Sequence, residues 1–520
     1  TVDDGVLTCH WHHARFELSC GDTFDPWADD VPTYPVEVRD GDVYVRPEPI
    51  REKPPAEHWL DRLDVGLQEN LGLVLAKSAV GLDSAGVPYT EPFERVTEFG
   101  VDYRDGGWSS GLTIHTAMAN VRQDLREEDR PRAMYVGASE VASDCSGEPP
   151  HFDQPTFRAR ELPKDRLKEW FRDTVEVRDT DGAERCLRTA VACLDEPDVA
   201  EILFTAATDH LYLNTGHSLD FVNKAFEALD HVGWDPAEDV LASLVTSLTE
   251  ADRAEENSQW RQPVDLAEML FDAYDDLPDL AAEGEGETWV EPDGYTDRLL
   301  SEDPEEVLDA LTGAVADGAT PEELAAAVTY AAGTRVARFS TVNEFGDWNT
   351  VHHTYTYANA VHGATRRTDA WELYRGVFDA AMNVYLDRFL NMPPADLPAG
   401  DGDADPEAAL EDLMDTFDVE GEVDAAGRAA ADFLAAGGHE SRLKERLGQA
   451  LLREDAGFHT IQNVEVAFQQ SRLQPERAER FLVAAARYLS AHTPTRRERE
   501  QTYTIASRLN RGERIHEEAD

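Results

Sequence analysis

Three stretches of the 520-residue chain open on a histidine, a small hydroxyl residue and then an apolar or aromatic ladder. They are HSLDFVNKAFEAL from His217, HTYTYANAVHGAT from His353 and HTIQNVEVAFQQS from His459, with Asn223, Asn359 and Glu465 six residues after the histidine. HTAMANVRQDL from His115 shares only the opening, and no strict period links the copies. Imidazole is the side chain that can serve near neutral pH as a general base or a metal ligand. The surrounding stretches 204–221 and 338–364 add Asp209, His210, Asp220, Glu344, Asp347, His352 and His362. Dinuclear iron or manganese sites in helical bundles draw on Glu-x-x-His pairs, and these stretches hold none. The sequence therefore singles out His217, His353 and His459 as catalytic candidates, walled by Phe221, Trp348, Tyr355 and Tyr357. The competing reading is that the histidines hydrogen-bond across packed helices.

A second set of ligand types lies near the start, in TCHWHHARFELSCGDTFDPW (8–27). Cys9 and His12 stand in Cys-x-x-His spacing. An ARFEL strand, a glycine-containing turn and the runs Tyr34–Arg39 and Asp42–Val45 follow, the last two joined by Asp40–Gly41, a tight hairpin signal. In this order the segment resembles the later half of a Rieske ferredoxin-like domain, over about the first 47 residues. His10 departs from the family, where proline is frequent. The resemblance implies metal and cofactor roles for Cys9 and His12 in a [2Fe-2S] cluster, where two cysteines hold one iron and two histidines the other. The family takes its ligands from two loops, Cys-x-His and Cys-x-x-His. Cys20, Cys145, Cys186 and Cys193 begin no Cys-x-His. The chain thus offers half of the set and is expected not to assemble the cluster by itself. Thr1 in place of methionine points to a first loop encoded upstream; a degenerate domain that keeps the fold without the cluster is the alternative.

The His-[Ser/Thr] helices are in turn similar to questin oxidase-like proteins, helical oxygenases in which histidines at helix starts line the substrate pocket. Together the two resemblances imply an oxidoreductase, electron-transferring or oxygenase-related, with a redox partner protein. A binding or scaffold protein with a degenerate Rieske domain is the reading from another class.

These elements need a large framework. The expected fold is mainly α: a partial Rieske-type β domain at 1–47, a Pro-containing linker at 48–56 and an all-α region at 57–520, with duplicated helical hairpins as one way to build it. Apolar residues recur every three or four positions in 56–80, and Thr-Pro-Glu-Glu caps the run 320–339. Pro/Gly/Asp-rich breaks at 275–295 and 392–407 mark lobe boundaries or surface loops. The stretch 179–194 reads as a capped helix carrying Arg185 and Arg188. In 137–152, Ser and Cys near His151 lack a nucleophile elbow.

The charge is extreme, 105 acidic against 47 basic residues and −58 overall. The acids are interleaved with apolar residues at helical spacing, as on a folded surface adapted to molar salt, where charges are screened within about 3 Å. So negative a chain argues against nucleic acid. No run of apolar residues is long enough to span a bilayer, no signal peptide begins the chain, and five scattered cysteines form no disulfide framework. A cytoplasmic location without membrane contact is the expectation.

Overall fold

The computed structural model describes residues 1–50, 53–158, 162–344 and 346–513. Short strands come first. β1 (Val2–Asp3), β2 (Val6–Thr8) and β3 (Arg15–Glu17) form an antiparallel sheet in chain order, and β4 (Val36–Arg39) pairs with β5 (Asp42–Val45). The hairpin expected at Asp40–Gly41 is present, and both residues turn at positive φ (53° and 90°), as a two-residue hairpin turn of this type requires. Its register sets Val36 opposite Val45 and Val38 opposite Val43, so four valines share one exposed face. Asp29 ties this module to the helices that follow, pairing with Lys77 and with Arg62, whose Nη2 also donates to the Pro26 carbonyl at 2.6 Å.

The rest is helical. The first helix starts at Pro55, inside the stretch expected as linker, with proline in the first turn where its missing N–H costs nothing. The periodic run 56–80 folds as two helices, Pro55–Gln68 and Gly72–Ser84, because Asn70 turns the chain at φ 49°. Gly66 then lets the second pack back: a Cβ there would sit 2.7 Å from the Leu75 side chain. Thr320 forms a full capping box with Glu323 at the head of helix Pro321–Ala337. The stretch 275–295 is helical as far as Glu283, and Pro406 opens a helix at the end of 392–407. One contiguous apolar core runs from Leu60 to Ala506 across both stretches.

Four helices build the centre: α1 (Ser110–Val121), α2 (His217–Val232), α3 (Asp347–Thr365) and α4 (Phe458–Leu473). Each packs on two others, α1 on α2, α2 on α3, α3 on α4 and α4 on α1, closing a ring. They are the four stretches that share the His-Ser/Thr opening. α2, α3 and α4 run in the same direction. His217, His353 and His459 meet at one end, while Glu227 and Gln469, ten residues further along α2 and α4, are bonded to each other at 2.9 Å. No helix among the described residues is long and apolar enough to cross a membrane.

Candidate metal centre

His217 is the first residue of α2, His459 the second of α4, and His353 lies in the second turn of α3. One nitrogen of each converges so that all three lie within 4.8 Å of one another, at a half-buried position. The His353 and His459 Nε2 atoms are 2.8 Å apart, one imidazole donating to the other. Tetrahedral coordination at about 2.0–2.1 Å from each nitrogen sets ligand nitrogens about 3.3 Å apart, so this pair would open by about half an ångström around an ion. The His217 ring stands 4.7 Å from that of His353 and 6.1 Å from that of His459, centroid to centroid.

Electrostatics keep these imidazoles ready to bind a cation. Burial, reinforced by the neighbouring His459, lowers His217 to about 4. Burial and then the other two rings lower His353 to about 3, and burial lowers His459. His217 and His353 are neutral at pH 7, and the nitrogen that accepts in the His353–His459 pair has to give up that hydrogen bond to bind an ion. Neutral imidazoles of this kind take zinc, copper, iron or nickel. The N-terminal ends of α2 and α4 both point at the cluster, which adds a preference for an anion beside any bound cation.

The backbone entering His217 is unusual. Tyr212, Asn214 and Thr215 all have positive φ (45°, 51° and 55°) and Gly216 follows at 91°. Side chains lock this left-handed turn: Asn214 Nδ2 donates to Ser218 Oγ and to the Ser247 carbonyl, and Ser218 Oγ donates to the same carbonyl at 2.6 Å. A Cβ on Gly216 would meet the Tyr212 ring at 2.8 Å and Tyr357 Cβ at 3.0 Å. Only glycine fits there.

Beneath the histidines lies a polar layer that sequence reasoning did not assemble. Gln462 Nε2 donates to Asp220 Oδ2 at 2.5 Å, and Asn463 Nδ2 lies 3.3 Å from His352 Nδ1. Asp220 Oδ1, His352 Nε2, Gln462 Oε1 and Asn463 Oδ1 are buried without a hydrogen-bond partner among the described residues. Burial lifts Asp220 to about 7 against the pull of Lys224 and Gln462. The signal was the i+3 spacing from His217 to Asp220 and from His459 to Gln462, which puts each pair on one helix face. Deeper still, Lys224 Nζ binds Glu227 (2.7 Å) and Glu465 (2.8 Å), and Asn120 from α1 donates to both carboxylates. Two of the residues six positions after the histidines, Asn223 and Glu465, thus belong to this network, and Asn359 accepts from Gln470.

The expected aromatic wall is only partly there. Phe221 flanks His217 (5.7 Å), and Phe458, next to His459 in sequence but not singled out, flanks it at 5.4 Å. Tyr355 stacks on Phe481, Tyr357 donates to Asp379, and Trp348 packs on Phe339 and Tyr488; all three are core residues. Asp209 and His210 lie elsewhere, Asp209 paired with Arg172 and Arg375 and His210 held between Glu176 and Glu255. His362 contacts Gln470. His115 is buried in α1 against Phe93.

Cys9 and His12 lie in the turn between β2 and β3, Cys9 half-buried and His12 exposed, and no third ligand type groups with them among the described residues. In a second cluster, His151, Asp153 and Glu184, both carboxylates are already engaged by an arginine, while His151 Nδ1 is buried without a hydrogen-bond partner among the described residues. Glu184 accepts from Arg188, Gln154 and His151, and Asp153 from Arg188 at 2.5 Å. Arg188 is thereby an ion-pair residue, on a helix capped by Asp179.

No protein-family model, curated protein or solved structure matches the chain.

Proposed function

We propose that the protein is a metal-dependent, oxygenase-related oxidoreductase whose working ion is held by His217, His353 and His459. The observation that carries this reading is the convergence of three neutral imidazoles, from three separate helices, to within 4.8 Å. His217, His353 and His459 would hold a first-row ion there, and such an ion would supply one-electron chemistry or Lewis acidity. The chain's own residues do the rest. Phe221 and Phe458 shield one side of His217 and give an apolar substrate surface. Asp220, set near neutrality by burial, holds or releases a proton at its carboxyl oxygens.

The amino-terminal module is proposed as a Rieske ferredoxin-like domain on the likeness of its sequence. Cys9 and His12 are half of the ligands that a [2Fe-2S] cluster needs, and no third ligand groups with them among the described residues, so no electron-transfer step is assigned to it.

The test is to load the protein with Fe(II), Cu(II) or Zn(II) in separate samples and follow electron paramagnetic resonance through a cycle of reduction and reoxidation. Iron or copper is expected to give a signal that cycles with redox state and vanishes in His353→Ala. Uptake of zinc alone would overturn the redox assignment.

A further inference from the structure

Away from the histidine cluster, Tyr89, Ala119 and Arg122 form the shared wall of two adjoining clefts. The more polar one, about 470 Å³, lies at the C-terminal ends of α2, α3 and α4, and its other arginines are engaged: Arg366 with Glu322, Arg367 with Asp230, Arg472 with Asp124. The neighbouring cleft differs. Its floor is apolar, built from Leu82, Phe93, Met118 and Met134, and two guanidinium groups, Arg122 and Arg130, border it.

Neither Arg122 nor Arg130 has a carboxylate within ion-pairing distance among the described residues, although the chain carries 105 acidic residues. Asp83, the one acidic residue lining the cleft among the described residues, pairs with neither. Arg130 Nε is buried with no hydrogen-bond partner among the described residues. Arg122 lies over the Tyr89 ring at 4.4 Å, and that ring is fixed in turn: Tyr89 Oη bonds His231 Nδ1 at 2.9 Å, and His231 Nε2 bonds Asn120 Oδ1 at 2.8 Å. Two half-buried cations thus border an apolar floor without a counter-ion among the described residues. Burial without a partner is costly for a charged donor, and a planar carboxylate is the group that guanidinium forks match.

We propose that this cleft binds a small apolar carboxylate, its head between Arg122 and Arg130 and its alkyl or aryl body on Leu82, Phe93, Met118 and Met134. The two methionines suit a floor that adapts to different apolar shapes. The site is independent of the histidine cluster and of any metal held there.

Calorimetric titration of the full chain in molar KCl with phenylacetate, octanoate, acetate and phenylacetamide tests this. Phenylacetate and octanoate are expected to bind. Acetate lacks the body and phenylacetamide lacks the charge, so both should bind at least about tenfold more weakly, and Arg122→Gln or Arg130→Gln should weaken phenylacetate by about the same factor. Binding of phenylacetamide as tight as phenylacetate, or no binding of either apolar acid to the unaltered chain, would overturn the proposal. That comparison needs no variant to fold.

Discussion

Asp387 is fully buried, with its Oδ2 lacking a hydrogen-bond partner among the described residues. Burial raises its carboxyl from 3.8 to about 8, against a Thr354 hydrogen bond and the charge of Arg335. Between those two values the folded chain keeps a proton that the unfolded chain has lost. Stability from this residue is therefore full below about pH 4 and falls as pH rises toward 8. Asp387→Asn does not titrate. Denaturant unfolding of both proteins at pH 5 and pH 8 should show the variant gaining on the parent as pH rises. A difference that stays constant, or shifts the other way, would contradict this account of Asp387. The histidines show the opposite side of burial: rings pushed below their ordinary range remain neutral ligands.

At the scale of elements, the turn 212–216 places His217. Gly216→Ala puts a Cβ on a residue at φ 91° and against Tyr212 and Tyr357. A cost of about 1–3 kcal/mol in stability is expected, with metal retention falling more than the stability loss explains, because the start of α2 must shift. Unchanged retention in a folded Gly216→Ala protein would show that the turn does not position the histidine. Much of this region was legible in sequence. His-Ser/Thr ahead of an apolar ladder recurs, and the three fullest copies are the three helices whose histidines meet. The Asp40–Gly41 hairpin and the Thr320 cap were also readable, since both are local signals. What local pattern does not carry is which side chains meet across helices. Phe458 and Gln462 join the site, while Tyr355 and Trp348, aromatic and equally close in sequence, face the core instead. The break at Asn70 was hidden because apolar spacing continues through it.

On the scale of the whole molecule, the net charge of −58 carries a prediction about salt. Screening lengths grow from about 3 Å at 1 M salt to about 10 Å at 0.1 M, so repulsion between acidic side chains reaches further as salt falls. The melting temperature should drop steeply as KCl is lowered through this range, and a flat profile would remove the case for a salt-adapted surface. The buried Lys224–Glu227–Glu465 network should be affected least, being shielded from solvent. Within that frame, the central claim is that three helices exist in this arrangement to bring three imidazoles together. The most direct measurement is metal content after exposure to first-row divalent ions and removal of excess, for the parent chain and for His217→Ala, His353→Ala and His459→Ala, with circular dichroism on each. One ion per parent chain, lost from every variant while helicity is kept, is the predicted result. No retained ion in the parent, or full retention in the folded variants, would contradict it.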